Sequence, residues 1–475
     1  MIDRHVANGL GDRVAIIHDS PVTNSVRKIS YQELQDEVSR LAGALRASGV
    51  NKGDRVLIYM PMIPETMFAI LACTRIGAVH AVVFGGFAAG ELAKRIQDAK
   101  PKVILSASCG IESPTKIIPY KRNVDEAIRI SGADAYLSKS IVFQRPQCPA
   151  ELKPDGCDVD WNSFVAEVGQ PTECVQMDGT DPLYILYTSG TTGAPKGVVR
   201  DVASLVPLRM SMDVVYRHKP EQVFWTAADL GWAVGHSYGL YSPLLQGTTT
   251  LIYEGKPVGT PDPGAFWRVI ADHKVAVLFT APTALRAIKR EDDKGEYLKK
   301  YDTSSLHTLF LAGERADPAS ISWAHSNLRV PVIDHWWQTE TGWGIVGNPT
   351  GIELLPVKSG SASKPLPGWD VRVLDESGKE LPPGEQGNLV IKLPLPPSGL
   401  HTLWENHQRF EKSYMTRFPG YYDTADAGII DKDGYVYIMA RSDDVLNVAG
   451  HRLSSGQMEG QCNETHECEW IRLAD

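Results

Sequence analysis

The sequence predicts an α/β fold in which parallel sheets with crossover helices precede a β-rich unit. The first observation is an apolar, strand-like run at residues 55–60, which ends at Pro61. Residues 64–77 follow with apolar side chains at helical spacing, and further strand-like runs occupy residues 81–84 and 103–105. Strand–helix–strand order implies a parallel sheet. The pattern recurs at residues 184–187, 275–279 and 308–311.

The second observation is a change of pattern after about residue 351. Short strand-like runs at residues 371–374 and 388–392 are separated by turn residues, and residues 429–438 predict a β-hairpin with glycine in its turn. We therefore expect sheet-and-helix subdomains over about 1–350 and a β-rich subdomain over about 351–440.

Length and composition limit the classes of function. The chain has 475 residues, enough for about three domain-sized units, and its 43% hydrophobic and 22% charged residues are ordinary for a globular protein. The net charge of −9 argues against nucleic acid or an anionic membrane as the main partner, because both attract basic surfaces. An acidic protein can still contain a basic pocket for phosphate.

The cysteines and the apolar runs bear on the compartment. None of the seven cysteines forms a C-x-x-C pair or has zinc-ligand spacing with histidine, which predicts free thiols in a reducing compartment. No apolar run approaches the roughly 18 residues that a membrane helix needs. The first residues resemble neither a secretory nor a transit peptide, so the protein is cytosolic or its true N-terminus is missing.

A loop at residues 188–197, directly after a predicted strand, carries the sharpest chemical signal. Its glycines free the backbone to wrap a ligand, its hydroxyls and turning N–H groups can donate to phosphate oxygens, and its lysine adds a cation. A polar surface loop is the alternative. A kinase-type P-loop is excluded because Gly193 is followed by Ala-Pro-Lys-Gly. The candidate phosphate-binding residues are Thr188, Ser189, Gly190, Thr191, Thr192, Gly193 and Lys196.

This loop resembles the phosphate loop of the adenylate-forming superfamily, which includes acyl-CoA synthetases, peptide-synthetase adenylation domains and luciferases. The resemblance implies that Thr188, Lys196, Thr339 and Glu340 are catalytic, with Thr339 meeting the α-phosphate and Glu340 binding Mg²⁺. Because two adjacent tryptophans cannot share one face of a strand, one of Trp336 and Trp337 packs in the core while the other lines a pocket. The further nucleotide contacts implied by the resemblance are Gly313, Glu314, Arg315, Asp334, His335, Trp336, Trp337, Gln338 and Thr339.

Residues 421–426 and 441–452 resemble two later motifs of the superfamily. In the first, Asp426 is expected to accept both ribose hydroxyls, and Ala425 replaces the usual glycine. If that position needs a positive φ, alanine costs about 1 kcal/mol or more. In the second, Arg441 is expected to reach the ribose and Arg452 the phosphates, while Asp443 marks the hinge of a lid domain.

Further short motifs lie at residues 3–5, 84–87, 231–238 and 253–257. They resemble motifs of short-chain acyl-CoA synthetases of the acetyl and propionyl type, and the resemblance covers residues 3–459. This implies an α/β adenylate-forming large domain over 1–440, with two sheet-and-helix subdomains and a small β-barrel. The resemblance also implies that the protein ligates acetate, propionate or butyrate to coenzyme A through an acyl-adenylate. The reaction would use ATP and Mg²⁺. By resemblance, Trp337 floors an acyl pocket walled by Ala233, Val234 and Ala312, and Lys116 and Ala449 contact coenzyme A.

The resemblance stops after residue 459. Residues 441–459 are expected to hold the hinge and the start of the lid, and residues 460–475 form a divergent tail, so the lid domain is expected to be absent. A zinc site at Cys462, His466 and Cys468 falls one ligand short of a closed site. Two hypotheses remain: a ligase impaired in turnover, or a non-catalytic nucleotide-binding fragment that associates with a full-length homologue. The resemblance favours the mitochondrial matrix or the cytoplasm.

Overall fold

The computed structural model describes residues 1–113, 115–153, 157–188, 195–314 and 316–441, and the backbone of residues 445–448 and 451–454. The helices are α1 (Ile2–His5), α2 (Tyr31–Ala47), α3 (Pro64–Ile76), α4 (Ala89–Ala99), α5 (Tyr120–Ser131), α6 (Trp161–Val168), α7 (Leu205–Val214), α8 (Ser242–Gln246), α9 (Ala265–His273), α10 (Pro282–Glu291), α11 (Pro318–Leu328) and α12 (His407–Phe410). Short π-helical segments cover Val6–Leu10, Gly235–Tyr241 and Glu411–Met415.

The strands alternate with these helices through the first three quarters of the chain. They are β1 (Val14–Ser20), β2 (Ser25–Ser30), β3 (Arg55–Tyr59), β4 (Val79–Val82), β5 (Val103–Ala107), β6 (Gly110–Ser113), β7 (Lys116–Ile118), β8 (Lys139–Phe143), β9 (Asp158–Asp160), β10 (Pro182–Thr188), β11 (Lys196–Asp201), β12 (Val223–Thr226), β13 (Thr249–Tyr253), β14 (Val275–Thr280), β15 (Thr308–Leu311), β16 (Val332–Asp334), β17 (Val346–Gly347), β18 (Lys364–Pro365), β19 (Val371–Leu374), β20 (Gly387–Lys392), β21 (Tyr421–Ile430), β22 (Val436–Arg441), β23 (Val445–Val448) and β24 (His451–Ser454).

Two seven-stranded sheets form the larger part of the molecule. One has the order β16-β15-β14-β12-β13-β1-β2 and the other β11-β10-β4-β3-β5-β8-β9. Each is parallel except for one antiparallel edge strand, β2 in the first and β11 in the second. This confirms the α/β class predicted from strand–helix–strand order.

The smaller, antiparallel sheet has the order β19-β20-β21-β22. Its last two strands form the predicted hairpin, with Gly434 in the turn at φ 82°. A single hydrophobic cluster includes residues of all three sheets, such as Ile58, Val277 and Leu389. The three sheets therefore share one core.

Local sequence signals account for the element boundaries. Pro64 begins α3, and Gly77, at φ 69°, ends it in the left-handed conformation that glycine favours. The strand expected at residues 81–84 instead begins at Val79, because Val79 already pairs with Arg55. Within the described part of the chain, no helix is long and apolar enough to cross a membrane. Five cysteines are free thiols, as predicted: Cys73, Cys109, Cys148, Cys157 and Cys174.

Candidate functional site

The predicted phosphate loop joins the ends of two antiparallel strands. Thr188 ends β10, Lys196 begins β11, and the two are register partners. Residues 189–194, which hold five of the candidate loop residues, lie outside the described residues. The Thr188 hydroxyl is buried, and no described group hydrogen-bonds with it. A buried hydroxyl needs a partner, so the mouth of this loop suits a polar ligand.

The segment after β16 carries the second predicted motif. His335 is buried, with Nδ1 2.7 Å from the Leu311 carbonyl and Nε2 2.9 Å from the Tyr216 hydroxyl. Burial lowers the pKa of His335 to about 4, so its ring is neutral at physiological pH. Since Leu311 and Tyr216 engage both ring nitrogens and Leu311 also accepts from the backbone N–H, His335 anchors the start of the motif and its ring faces the core.

Arg200 fixes the backbone of the same motif from the neighbouring sheet. It lies four residues beyond Lys196 and is buried. Its guanidinium donates to the Glu340 carbonyl at 2.7 Å, the Thr341 carbonyl at 3.1 Å and the Ser398 carbonyl at 2.5 Å. Gly342, at φ 72°, leaves the space this requires, because a Cβ there would lie 2.7 Å from Arg200 Nη2. Lys196 and the Glu340 turn are thus held by one strand.

Glu340 is half-buried, and its carboxylate faces Tyr414. The Tyr414 hydroxyl donates to Glu340 Oε1 at 2.6 Å, and Lys196 Nζ lies 4.7 Å from the centre of the Tyr414 ring. Among the described residues no group of three or more acidic, histidine or cysteine side chains could hold a metal ion. Mg²⁺ is ordinarily bound by one or two carboxylates together with substrate phosphates, so a lone Glu340 fits that ion. Thr339, also half-buried, precedes it.

Asp426 is the centre of a buried polar network in β21. Its Oδ2 accepts from Trp336 Nε1 at 3.1 Å and from Gln338 Nε2 at 2.7 Å. Burial raises the pKa of Asp426 to about 6, although the Arg441 charge opposes this. Arg441 is its register partner on β22. The two predicted ribose contacts therefore lie side by side on adjacent strands.

Ala425 adopts the left-handed conformation, with φ 55°. The pairing of β20 with β21 shifts here: Leu389 pairs with Asp426 but Val390 pairs with Asp423, which leaves a bulge between them. The Ala425 N–H donates to Asp423 Oδ1 at 2.8 Å. Bulges redirect the side chains that follow them, and here the next residue is Asp426.

The two adjacent tryptophans point to different surroundings, as the sequence predicted. Trp336 is 8% exposed and donates to Asp426, whereas Trp337 is half-buried. The Trp337 ring centre lies 5.7 Å from Tyr238 and 6.3 Å from Phe279. The other expected acyl-pocket residues belong to the same hydrophobic cluster as Trp337: Ala233, Val234 and Ala312.

Of the remaining candidate residues, some are placed by the structure and others lie outside the described residues. Gly313 is exposed at φ 107°, and exposed Glu314 accepts from Arg286 Nη2 at 2.6 Å. Asp334 ends β16. Lys116 is exposed on the separate β6–β7 hairpin, 3.0 Å from Glu112. The candidates outside the described residues are Arg315, Ala449, the Arg452 side chain, and the tail with Cys462, His466 and Cys468.

Sequence reasoning missed Arg200 and Tyr414. The alternation of strand β11 could have identified Arg200, because Arg200 lies two residues after Val198 and therefore on the same face of the strand. Val198 is fully buried, so an arginine on that face points inward. Tyr414 left no such signal, because it belongs to no motif and meets Glu340 from 74 residues away.

Comparisons with known proteins indicate the same family as the sequence motifs. Residues 3–399 match the AMP-binding enzyme family. An uncharacterized protein of Pseudomonas aeruginosa is 51% identical across the whole chain, which spans 75% of that protein. The mitochondrial acyl-CoA synthetase short-chain family member 3 of Bos taurus is 51% identical over 96% of the chain, which spans 66% of the relative. Propionate–CoA ligase of Escherichia coli is 43% identical over 94% of the chain, which spans 71% of it.

A solved structure supports the fold. The acetoacetyl-CoA synthetase of Streptomyces lividans superposes with a TM-score of 0.88 at 26% identity, over 98% of this chain and 70% of that one. The adenylate-forming fold and the family resemblance are thereby confirmed. The chain belongs to the AMP-binding enzymes, in the branch of the short-chain acyl-CoA synthetases.

Proposed function

We propose that this chain ligates a short-chain carboxylate, namely propionate, acetate or butyrate, to coenzyme A with ATP and through an acyl-adenylate. The observation that carries the proposal is the meeting of Lys196 and Glu340 at Tyr414. The contacts bring together a cation and a carboxylate from separate motifs, which supports a site for a nucleotide phosphate and its Mg²⁺ here. Relatives named propionate–CoA ligase and acyl-CoA synthetase point to the same reaction.

The chemistry has two steps. A carboxylate oxygen of the acid attacks the α-phosphorus of ATP, pyrophosphate leaves, and the thiol of coenzyme A then displaces AMP from the acyl-adenylate. Lys196 and Thr339 would hold and neutralise the phosphates in the first step. Mg²⁺ on Glu340 would neutralise further phosphate charge. Because the protein forms no covalent bond in this scheme, its contribution is positioning and electrostatic stabilisation.

The acyl pocket should select acids by length. The Trp337 ring, half-buried against Tyr238 and Phe279, would close the floor, with Ala233 and Val234 as walls. A tryptophan floor leaves room for only a few carbons, and each methylene in an apolar pocket is worth about 1–3 kcal/mol. Propionate is the favoured acid in this proposal.

The nucleotide would extend from this pocket towards β21. Asp426 would accept the ribose hydroxyls beside Arg441, and Gly313 and Glu314 would border the adenine. Lys116 and Ala449 would contact coenzyme A. The domain layout stays a prediction: a large domain over 1–440, with its β-rich part over about 351–440, and a hinge over 441–459.

The location of the protein is a separate part of the proposal. Mammalian relatives are named as mitochondrial, and another relative comes from Pseudomonas aeruginosa. The mitochondrial matrix or the cytoplasm would both suit an enzyme that uses ATP and coenzyme A. Cell fractionation with an antibody to this chain would decide between them.

The test is the first half-reaction, measured as propionate-dependent exchange of labelled pyrophosphate into ATP. The purified chain should catalyse exchange that requires propionate and Mg²⁺ and that stops without either. Calorimetry should also show saturable ATP binding in the presence of Mg²⁺. A chain that binds no ATP under these conditions would refute the proposal at its root.

A further inference from the structure

Tyr414 contacts two candidate catalytic groups, although it lies outside every nucleotide motif. It belongs to the π turn Glu411–Met415, which continues α12, and its side chain is 5% exposed. Its hydroxyl donates a hydrogen bond to the Glu340 carboxylate.

The hydroxyl of Tyr414 fixes one oxygen of Glu340. The distance of 2.6 Å from the hydroxyl to Oε1 is that of a short, charge-assisted hydrogen bond. The Glu340 backbone is fixed as well, because Arg200 donates to its carbonyl at 2.7 Å. The main chain and Oε1 are both held, and no hydrogen bond from the described part of the chain engages Oε2, so Oε2 is the oxygen we assign to the metal ion.

The ring of Tyr414 meets Lys196. Lys196 Nζ lies 4.7 Å from the ring centre, which is within the range of a cation–π interaction. The ring is itself stacked on Tyr422, with centres 5.4 Å apart and planes inclined by 5°. Tyr422 donates to Gln338 Oε1 at 3.2 Å, and Gln338 donates to Asp426 at 2.7 Å. The ring is therefore held from a second side by the network around Asp426.

We propose that Tyr414 is a positioning residue that sets the separation between the Lys196 cation and the Glu340 carboxylate, and so the fit of the site to ATP with its Mg²⁺. This inference rests on the proposed function. One side chain supplies both contacts: the hydroxyl to the metal side and the ring face to the phosphate side. The two roles can be separated by substitution.

Tyr435 provides a matched control. Its hydroxyl donates to the Pro356 carbonyl at 3.0 Å, and Lys358 Nζ lies 4.2 Å from its ring centre. It is 4% exposed, as buried as Tyr414, and its hydrogen bonds and lysine contacts among the described residues involve Pro356, Asp431, Lys358 and Lys364 rather than candidate site residues. Tyr435→Phe therefore removes an equivalent hydroxyl, beside an equivalent lysine, without touching the site.

The experiment titrates ATP by calorimetry in EDTA and at a series of Mg²⁺ concentrations. Tyr414→Phe should raise the Mg²⁺ concentration needed for half of the affinity gain by about tenfold, as expected when a partner that orients a metal ligand is lost. Its ATP affinity in EDTA should stay within about twofold of the wild type, because the ring remains. Tyr414→Leu should also lower the affinity in EDTA, by about two- to fivefold, because Lys196 loses the ring. Tyr435→Phe should change neither quantity.

One further variant shows whether an effect of Tyr414→Phe acts through Glu340. In a Glu340→Gln background, Tyr414→Phe should have no additional effect on the Mg²⁺ dependence, and this holds even if the single variant is less stable. A wild type that responds to Mg²⁺, with Tyr414→Phe responding identically, overturns the inference and leaves the proposed function standing. A wild type whose ATP binding ignores Mg²⁺ overturns both.

Discussion

The two ends of the candidate nucleotide cleft are built from different physics. At the phosphate end, comprising Thr188, Lys196, Thr339 and Glu340, the charged groups are half-buried and meet around one tyrosine ring. At the ribose end, Asp426 is 7% exposed and receives N–H groups from Trp336 and Gln338. One end keeps its charges partly in water, and the other buries a carboxylate.

Because of this difference, we expect the two ends to contribute differently to ligand binding and to the stability of the fold. Half-buried charges cost the fold little, and they gain their interaction energy when phosphate arrives. A buried carboxylate costs the fold free energy whenever it is ionised, and it returns that cost only by accepting hydrogen bonds. Substitutions at the phosphate end should therefore change catalysis, whereas substitutions at the ribose end should change stability as well.

The largest effect is expected from Lys196→Ala at the phosphate end. Loss of one preorganised cation or donor to a transition state commonly costs about 10²–10³ in rate. Propionate-dependent pyrophosphate exchange should fall by that factor. Adenosine, which has no phosphate, should bind to the variant within about twofold of its wild-type affinity. Calorimetry with adenosine and with ATP measures the contrast.

The control for that variant is Lys364→Ala. Lys364 Nζ also lies near a tyrosine ring, 5.0 Å from the centre of Tyr435, but away from the candidate site. It should leave the exchange rate unchanged. If Lys196→Ala weakened adenosine as much as ATP, Lys196 would serve the whole cleft and the contrast between the two ends would fail.

The second prediction concerns stability at the ribose end. Burial raises the Asp426 pKa to about 6 from its ordinary value of 3.8, so the folded state holds this proton more tightly than the unfolded state. Stability from this group is present below pH about 4 and is lost as pH rises through about 6. Asparagine cannot ionise, so the free energy of unfolding of Asp426→Asn should rise relative to that of the wild type by about 2–3 kcal/mol as the pH increases over that window. Urea unfolding at pH 4.5 and pH 8 tests it, and a constant difference would contradict it.

The third prediction is the binding counterpart of the second. In the proposed function the ribose hydroxyls donate to ionised Asp426, and its ionisation is opposed by burial and by the Glu340 charge and favoured by Arg441. Adenosine affinity should therefore fall about tenfold between pH 7 and pH 5, because one proton must leave before binding. Asp426→Asn should bind more weakly at pH 7 and show no such slope. A wild-type affinity independent of pH in this range would remove Asp426 from the ribose site.

The same contrast explains what the sequence could predict. Strands such as Thr308–Leu311 were found because buried parallel strands are continuous apolar runs. The phosphate loop is a prediction of the same local kind, because hydroxyls, glycines and a lysine lie together within ten residues. Tyr414 could not be found, since its role depends on a contact across 74 residues. Likewise, the raised pKa of Asp426 comes from burial that no local pattern encodes.

His335 shows that a sequence motif can also predict a ligand contact for a side chain that faces the core. Its place in a nucleotide motif suggested a ligand contact, but the core takes both of its ring nitrogens. Sequence motifs identify a segment that approaches a ligand. Which side chains of that segment face the ligand and which face the core depends on the neighbouring strands.

The smallest effect is expected at Ala425, where the motif of the superfamily has glycine. Its φ of 55° costs an L-residue about 1–2 kcal/mol, whereas glycine adopts it without strain. Glycine gives back about 0.5–1 kcal/mol through the greater freedom of the unfolded chain. Ala425→Gly should therefore stabilise the fold by a net of about 0.5–1 kcal/mol. Ala427→Gly is the control, because this buried residue of the same strand lies outside the left-handed region and should lose stability. Urea midpoints compare the two, and a loss in both would mean that the strain at Ala425 is smaller than the freedom that glycine adds to the unfolded chain.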